Sequence, residues 1–249
     1  MIVIPVAVAL PPTRQNMRML QSSAVSGRVI VVTGAGGPAG RAVVRRLAAD
    51  GARVVAADVR PQHWDGPNVF PAVIDLLDAD GTRAWADGVA AEHGAVDGLI
   101  HLVGGWRGAE SFADTDLADW ALLHDLLIRT LQHATLAFHQ RLRRSPAGRF
   151  AIVSQPAARR PTQGDAVYAT AKAAAETWTL ALADALSGTS AAATILVVEA
   201  LLTDAMRREA PDADYSRHTH VDDLADAVAA LWNRPADELN GRRLDLTGS

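Results

Sequence analysis

The feature that most constrains this chain is a regular alternation of short apolar runs with helical segments, beginning at Arg28. The apolar runs are rich in β-branched residues and do not alternate with polar ones, as they would in a strand with one wet face. Continuous apolar strands separated by helices are typical of parallel sheets with both faces covered. The sequence therefore predicts an α/β fold, a doubly wound parallel sheet of about seven strands with helices on both faces.

The predicted elements form one continuous series. Strands are predicted at Val29–Thr33, Arg53–Ala57, Val69–Ile74, Gly98–Val103, Arg149–Ser154, Ala193–Val198 and Arg243–Leu246. Helices are predicted at Arg41–Ala49, Thr82–Glu92, Leu117–Leu142 (one long helix or a bent pair), Ala166–Leu186 and Val221–Trp232. Because no composition break, internal repeat or linker follows residue 27, residues 27–249 are predicted to form a single domain.

Residues 1–26 differ from the rest of the chain. Ile2–Leu10 is apolar, Pro11 and Pro12 interrupt it, and a polar stretch follows. A signal peptide carries basic residues before its apolar run, and none is present here. These residues are expected to form a poorly ordered N-terminal extension.

Composition excludes several kinds of function. The chain has no cysteine, so it has no disulfides or thiolate chemistry, and its net charge of −4 gives no footprint for nucleic acid. No apolar run approaches the ~20 residues of a membrane span. We expect a cytoplasmic protein with a small-molecule substrate and no metal, nucleic acid or membrane partner. Two clusters are read as structural: His218 to His220 as a loop and helix N-cap, and Arg141, Arg143, Arg144 and Arg149 as a solvated helix end.

A glycine-rich turn joins the first predicted strand to the first helix, with the sequence Thr33-Gly34-Ala35-Gly36-Gly37-Pro38-Ala39-Gly40. Glycines let backbone N–H groups approach a pyrophosphate at a helix N-terminus. Asp58 ends the second strand, where a carboxylate binds the adenosine ribose hydroxyls and repels a 2′-phosphate. The pattern predicts a Rossmann-type dinucleotide domain that prefers NAD(H), while the nearby Arg41 and Arg60 leave NADP(H) possible.

The most distinctive side-chain pair is Tyr168 and Lys172. Lys172 is the single lysine of the chain, among 24 lysine and arginine residues. No glycine or proline interrupts residues 166–185, so a helix is expected, and residues four apart share a helix face. A nearby ammonium favours the phenolate and lowers a tyrosine pKa, as a general acid–base requires. The pair therefore predicts a catalytic tyrosine assisted by a lysine.

With these motifs, the chain resembles the short-chain dehydrogenase/reductase family from about Gly27 onward. The glycine turn is similar to the family's Thr-Gly-x-x-x-Gly-x-Gly, with Pro38 in place of the middle glycine, and Tyr168 and Lys172 match the catalytic pair. The resemblance implies hydride transfer between NAD(P)(H) and a carbonyl or alcohol, with Lys172 holding the nicotinamide ribose, in a homodimer or homotetramer. Implied cofactor contacts are Gly34, Gly36, Gly37, Ala39, Gly40, Asp58, Asp75, Leu76, Gly104, Lys172 and Thr203.

Two positions depart from the family pattern. The family's serine lies thirteen residues before the tyrosine, which is Gln155 here, whereas Ser154 is one place earlier. Either Ser154 acts as the third catalytic residue, or Gln155 replaces it as a hydrogen-bond donor. The family's catalytic asparagine aligns with Leu127, so the water relay that this asparagine supports is expected to be absent or altered.

A narrower resemblance gives an alternative function. Gly104-Gly105-Trp106-Arg107-Gly108 is similar to the Gly-Gly-Trp-Ala-Gly of dihydropteridine reductase, a family member without the usual serine, and residues 206–219 are similar to its loop after strand six. This resemblance implies an NADH-dependent reductase in which Trp106 is a substrate platform, although a packing role for Trp106 is equally open. A further alternative is a cofactor-binding protein with weakened catalysis, against which the retained Lys172 argues.

Overall fold

The computed structural model describes residues 23–247, and a seven-stranded parallel sheet forms its centre. The strand order is β3-β2-β1-β4-β5-β6-β9, with every neighbouring pair parallel. The predicted doubly wound parallel sheet is confirmed. The strands are β1 (Val29–Thr33), β2 (Arg53–Asp58), β3 (Val69–Val73), β4 (Gly98–His101), β5 (Arg149–Ser154), β6 (Ala192–Val197), β7 (Ala200–Leu202), β8 (His218–His220) and β9 (Arg243–Asp245).

The sequence did not predict the short parallel pair β7 and β8, which lies outside the main sheet. It also missed the two short helices α6 and α8. The helices are α1 (Pro38–Ala49), α2 (Ala79–His93), α3 (Leu117–His124), α4 (Thr130–Arg144), α5 (Ala166–Ala185), α6 (Asp204–Glu209), α7 (Val221–Ala230) and α8 (Ala236–Leu239).

Local sequence accounts for several helix ends. Helix α2 begins after Asp78, whose carboxylate accepts the N–H groups of Asp80 and Gly81, and it ends at Gly94, where φ is 80°. A side chain that accepts the first free N–H groups replaces their missing partners, and glycine adopts the left-handed conformation at low cost. Helix α5 runs for 20 residues without a glycine or proline.

The core has two layers, one on each face of the sheet. In β1, Ile30 and Val32 pack in one layer and Val31 in the other, because successive side chains of a strand point to opposite faces. Helices α1 and α7 cover the first face, and α2, α4 and α5 cover the second. No helix among residues 23–247 is long and apolar enough to cross a membrane.

The predicted long helix at residues 117–142 is a broken one. Helices α3 and α4 are joined by a π-helical turn at Asp125–Arg129, in which Leu127 and Ile128 are buried. Such single π turns widen a helix locally and are frequent at functional sites. The turn places Leu127 beside Gly104, where a Cβ atom would lie 3.4 Å from Leu127 Cδ2.

The sequence prediction for the arginine cluster is wrong at Arg149. Arg149 is not solvated: it is buried at the start of β5 and donates to the carbonyl oxygens of Gly148, Ser190, Leu231 and Arg234. Burial lowers its pKa, and the nearby Arg28 adds to this effect.

In the histidine cluster, residues 218–220 form strand β8 rather than a loop, whereas His220 is the predicted N-cap, accepting the N–H of Asp222. Residues 1–22 of the predicted N-terminal extension lie outside the described residues. Val25 is described and buried in the core, so the packed domain begins at least two residues before Gly27.

Candidate active site

The site forms where the strand order reverses, between β1 and β4, at the carboxyl ends of the strands. In open α/β sheets this position leaves a crevice, since the flanking connections run to opposite faces. The groove here has a volume of about 280 Å³. It is lined by Gly34, Gly37, Ala57, Asp58, Val59, Ile74, Asp75, Leu76, Leu77, Leu102, Val103, Gly104, Leu126 and Thr130.

The glycine turn is shaped by close backbone packing. Gly34 has a φ of 72°, and a Cβ atom there would lie 2.7 Å from the Leu102 carbonyl carbon. A Cβ on Gly40 would lie 2.2 Å from Gly34 O, and one on Gly36 would lie 2.9 Å from Asp58 Oδ2. Gly37 caps α1 without a side-chain hydrogen bond. The turn is a cradle of bare backbone at a helix N-terminus, which suits a pyrophosphate.

Asp58 faces this cradle from the end of β2. Its carboxylate accepts the N–H of Gly36 at 2.9 Å and that of Arg60 at 3.2 Å. Arg41 lies beside it but is held by other partners: Nε donates to Gly36 O at 3.2 Å, and the guanidinium lies 5.2 Å over the Trp64 ring. The Asp58 carboxylate therefore lies against the glycine turn.

Lys172 lies behind Tyr168 on the face of α5 that turns toward the sheet. Its side chain is 9% exposed. Nζ donates to Val153 O at 2.9 Å and lies 5.6 Å from the centroid of the Tyr168 ring. The Tyr168 hydroxyl has no hydrogen-bond partner among residues 23–247, so it is available to a bound molecule.

The charges of this pair differ from the sequence prediction. Burial raises the pKa of Tyr168 to about 12, and the nearby Asp165 carboxylate adds to this effect. Burial also lowers the pKa of Lys172 to about 8, although the Glu176 carboxylate acts in the opposite direction. The predicted lowering of the Tyr168 pKa is therefore wrong for this structure, in which burial raises the pKa and keeps the phenol protonated.

The residues proposed to replace the family serine point elsewhere. Ser154 is 1% exposed, and its hydroxyl donates to Glu176 Oε1 at 2.6 Å. The side-chain nitrogen of Gln155 donates to Glu199 O at 3.0 Å, which leaves its buried Oε1 without a partner among the described residues. The structure therefore joins Ser154 to Glu176 rather than to Tyr168, and Gln155 presents an acceptor rather than the predicted donor.

Sequence reasoning missed His101, which ends β4 beneath the groove. The Thr130 hydroxyl donates to Leu126 O at 2.7 Å, so it accepts from His101 Nε2, 3.3 Å away. His101 Nδ1 then accepts from the Thr33 hydroxyl at 2.8 Å. Burial lowers the pKa of His101 to about 3, and the Lys172 charge acts in the same direction. A neutral histidine therefore links β1, β4 and α4. Its one sequence signal was a histidine within an apolar strand.

Of three further residues predicted to contact the cofactor, two line the groove and one does not. Asp75 is exposed at the groove, and Leu76 beside it is buried. Thr203 caps α6, its hydroxyl accepting the N–H of Met206 at 3.2 Å, and it does not line the groove.

No group of three or more His, Asp or Glu side chains within residues 23–247 is arranged to hold a metal ion.

The loop after β4 covers the approach to α5. The N–H of Ala109 donates to Gly164 O at 2.9 Å, which fastens this loop just before the helix that carries Tyr168. Trp106 is 59% exposed. Its ring packs over Gly108, where a Cβ atom would lie 2.5 Å from the indole. A flat aromatic surface thus stands on the loop that borders the Tyr168 helix.

Known proteins are similar in sequence to this chain, and the chain spans only about a quarter of the length of the first of them. A Mycobacterium tuberculosis protein named as the probable oxidoreductase EphD is 31% identical over 156 residues, which cover 59% of this chain and 26% of EphD. The Escherichia coli 7alpha-hydroxysteroid dehydrogenase is 24% identical over 242 residues, covering 90% of this chain and 94% of that enzyme.

A solved structure shares the fold. An NADPH-bound short chain oxidoreductase of Pseudomonas aeruginosa, described as containing an atypical catalytic center, superposes with a TM-score of 0.77 at 22% identity and covers 90% of this chain and 97% of its own. The short chain dehydrogenase family pattern matches residues 28–214. This chain therefore belongs to the short chain dehydrogenase family of oxidoreductases.

Proposed function

We propose that this protein transfers a hydride between NAD(P)(H) and a carbonyl or alcohol substrate, with Tyr168 as the general acid–base. The observation that carries the proposal is the placement of a free Tyr168 hydroxyl and a buried Lys172 on one helix face, 5.6 Å from ammonium to ring centroid. A hydroxyl without a partner beside a cation is what proton exchange with a substrate oxygen requires. The names of the relatives, an oxidoreductase and a hydroxysteroid dehydrogenase, support the same reaction class.

The residues of the groove fit a dinucleotide. Gly34, Gly36 and Gly40 let the turn pack closely against neighbouring protein atoms, where side chains would clash. The N-terminus of α1 favours the pyrophosphate. Asp58 would accept the adenosine ribose hydroxyls and repel a 2′-phosphate, so we propose a preference for NAD(H) over NADP(H). When bound, the nicotinamide supplies or takes up the hydride.

Tyr168 and Lys172 divide the proton chemistry between them. In the direction of reduction, Tyr168 gives its proton to the substrate oxygen as negative charge develops there. The raised pKa of Tyr168 keeps that proton in place in the free protein. Lys172 remains charged below its pKa of about 8 and stabilises the phenolate that forms.

The test of this proposal compares the two tyrosines of the chain. Tyr168→Phe should lower turnover by ~10²–10⁴-fold while NADH binding stays nearly unchanged, because general acid–base groups contribute about that much. Tyr215→Phe is the matched control, since the Tyr215 hydroxyl donates to Met206 O, and it should keep near wild-type turnover. Turnover is followed as NADH oxidation with a panel of ketones, and full activity of Tyr168→Phe would contradict the assignment.

A dihydropteridine-reductase-like activity is a second candidate. Two observations favour it: the hydroxyl of Ser154 is committed to Glu176, and Trp106 offers an exposed flat ring. A delocalised pterin ring stacks on an indole and needs no serine donor. Turnover of quinonoid dihydropterin with NADH, lost in Trp106→Ala and retained in Ser154→Ala, would favour this candidate over an ordinary ketone substrate. Cofactor binding without turnover of either class would favour the weakened cofactor-binding alternative.

We also propose that the protein is a homodimer or homotetramer in the cytoplasm. Leu136 on α4 and Leu180 on α5 are exposed apolar side chains on neighbouring helices, consistent with packing against a second copy. Light scattering coupled to gel filtration measures the assembly, and a monomer at micromolar concentration would contradict it.

A further inference from the structure

A buried cluster of charges lies one helical turn beyond Lys172. Glu176 is 5% exposed. Its Oε1 accepts from Ser154, and both carboxylate oxygens lie 3.0 Å from Arg243 Nε. Arg159 Nε lies 3.7 Å from the same carboxylate. A carboxylate that is buried in this way is ionised and paired, because an unpaired one would be costly.

This cluster holds the end of β5 beneath the catalytic pair. Lys172 donates to the carbonyl of Val153, Ser154 donates to Glu176, and Arg243 donates to the carbonyl of Gln155 at 3.0 Å. Three successive residues are therefore fixed by side chains from α5 and from the last strand, β9. Their position and that of Lys172 depend on the same set of bonds.

The cluster also sets the electrostatic surroundings of Lys172. On α5, the groups that face Lys172 are Tyr168 and Glu176, and on β4 the group is His101, which is neutral at working pH. Burial lowers the pKa of Lys172 and the negative charge of Glu176 raises it. Arg243 and Arg159 are the two cations that pair with Glu176, at 3.0 Å and 3.7 Å.

We infer that Glu176 is a positioning residue that keeps Lys172 charged at neutral pH, and that Arg243 of the last strand determines how much of the Glu176 charge Lys172 senses. The inference rests on the proposed function, since the charge of Lys172 affects turnover only where the Tyr168–Lys172 pair is catalytic. It adds Glu176 and Arg243 to the residues that control the Tyr168–Lys172 pair.

The single lysine makes this inference directly measurable. Protein labelled with 13C at the lysine ε-carbon gives one lysine side-chain signal, whose pH titration reports Lys172 without substrate or cofactor. Glu176→Gln should lower the Lys172 pKa by roughly one unit, because removing an opposite charge disfavours the ammonium. Arg243→Gln should raise it, because the Glu176 charge is then less neutralised. Glu238→Gln, an exposed control on α8, should leave it unchanged.

The direction in which the Lys172 pKa moves distinguishes the loss of a nearby charge from loosening of the core. Greater hydration would raise the Lys172 pKa toward its ordinary 10.5 in any loosened variant, so a lowered value in Glu176→Gln reports lost charge. An unchanged or raised value in that variant overturns the inference. If Glu176→Gln does not fold, Arg159→Gln serves instead. The Arg159 side chain is 60% exposed, so its replacement leaves the core packing intact, and a small rise in the Lys172 pKa with unchanged stability then reports charge. No change or a fall overturns the inference.

Activity gives the second readout and keeps the two proposals distinguishable. The alkaline limb of the turnover profile should move down in Glu176→Gln and up in Arg243→Gln, following the NMR titrations. If the titrations move as expected while Tyr168→Phe retains full turnover, the proposed function fails and the electrostatic control of Lys172 stands. If Tyr168→Phe is inactive and the Lys172 titration does not respond to Glu176→Gln, the inference fails and the proposed function stands.

Discussion

The nucleotide half and the catalytic half of this molecule are built in different ways. The nucleotide half lies within one contiguous unit, β1, the glycine turn, α1 and β2, and its shape comes from close backbone packing at Gly34 and Gly40. The catalytic half brings together the ends of β4 and β5, the π turn and α5, and its shape comes from side chains: His101, Ser154 and Lys172 all bond to distant residues. The first half follows the family pattern closely, and the second departs from it.

The two halves differ in what a substitution would meet. A Cβ atom on Gly34 or Gly40 would meet backbone atoms, so few substitutions fit there. At the end of β5, side chains set the contacts instead: Ser154 donates to Glu176, and Arg243 donates to the carbonyl of Gln155. A smaller side chain there removes a hydrogen bond and creates no clash with the backbone.

The largest effect is expected at Gly40. Gly40→Ala should destabilise the fold by roughly 1–3 kcal/mol, the usual cost of overpacking, and should abolish measurable NADH binding, because the new Cβ would lie 2.2 Å from Gly34 O. Gly88→Ala is the matched control: it is also a helical glycine, nothing lies within 4 Å of its Cβ position, and it should be neutral or stabilising by up to ~1 kcal/mol. Urea unfolding and NADH titration measure both, and normal binding by Gly40→Ala would break the comparison.

The same contrast explains what could be predicted from the sequence. The positions of the strands and helices, the glycine turn and the place of Asp58 depend on local patterns, since apolar periodicity and glycine positions fix them over short distances. The facing of Tyr168 and Lys172 followed from their helical spacing. The partners of Ser154 could not be predicted, because Glu176 lies 22 residues away and Arg243 reaches that carboxylate from a strand 67 residues beyond it.

Long-range contacts also decided the pKa values. Sequence spacing placed a cation beside Tyr168, but the degree of burial, which raises the Tyr168 pKa, depends on how α3, the π turn and α5 pack. The role of Arg149 was misread for the same reason, since its acceptors lie in four separate segments. Charged residues near a predicted helix end look solvated until their tertiary partners are known.

Acid stability provides the second test, because His101 joins the two halves. Its pKa is about 3 in the fold and 6.5 as a free side chain, so the unfolded state takes up a proton first. Its contribution to stability is full above pH 6.5 and is lost as pH falls toward 3, at about 1.4 kcal/mol per pH unit. His101→Asn should flatten the dependence of unfolding free energy on pH between 6.5 and 4.5, measured by urea unfolding. His63→Asn, at an exposed site, should not, and an equal slope in wild type and His101→Asn would contradict the assignment.

Cofactor preference tests the nucleotide half more finely. Asp58→Asn removes the charge that opposes a 2′-phosphate but keeps an oxygen for the Gly36 N–H. The ratio of NADPH to NADH affinity should rise ~tenfold, which corresponds to about 1.4 kcal/mol. Asp50→Asn, which removes a carboxylate at the far end of α1, is the control. Fluorescence titration measures the ratio, and equal ratios in wild type and Asp58→Asn would mean that Arg41 or Arg60 sets the preference.

The smallest effect on turnover is expected at Ser154, the residue at which the catalytic half departs from the family pattern. Since the Ser154 hydroxyl donates to the Glu176 carboxylate at 2.6 Å, Ser154→Ala should cost about 1.5–3 kcal/mol of stability and change kcat by less than ~3-fold. Ser145→Ala is a close control, because Ser145 is also buried and donates to a carboxylate, Asp97, at 2.6 Å, far from Tyr168 along the chain. The two variants should lose similar stability and keep similar turnover. A loss of ~100-fold in kcat confined to Ser154→Ala, with normal folding, would show that Ser154 turns toward the substrate during the reaction, and the catalytic half would then follow the family pattern as closely as the nucleotide half.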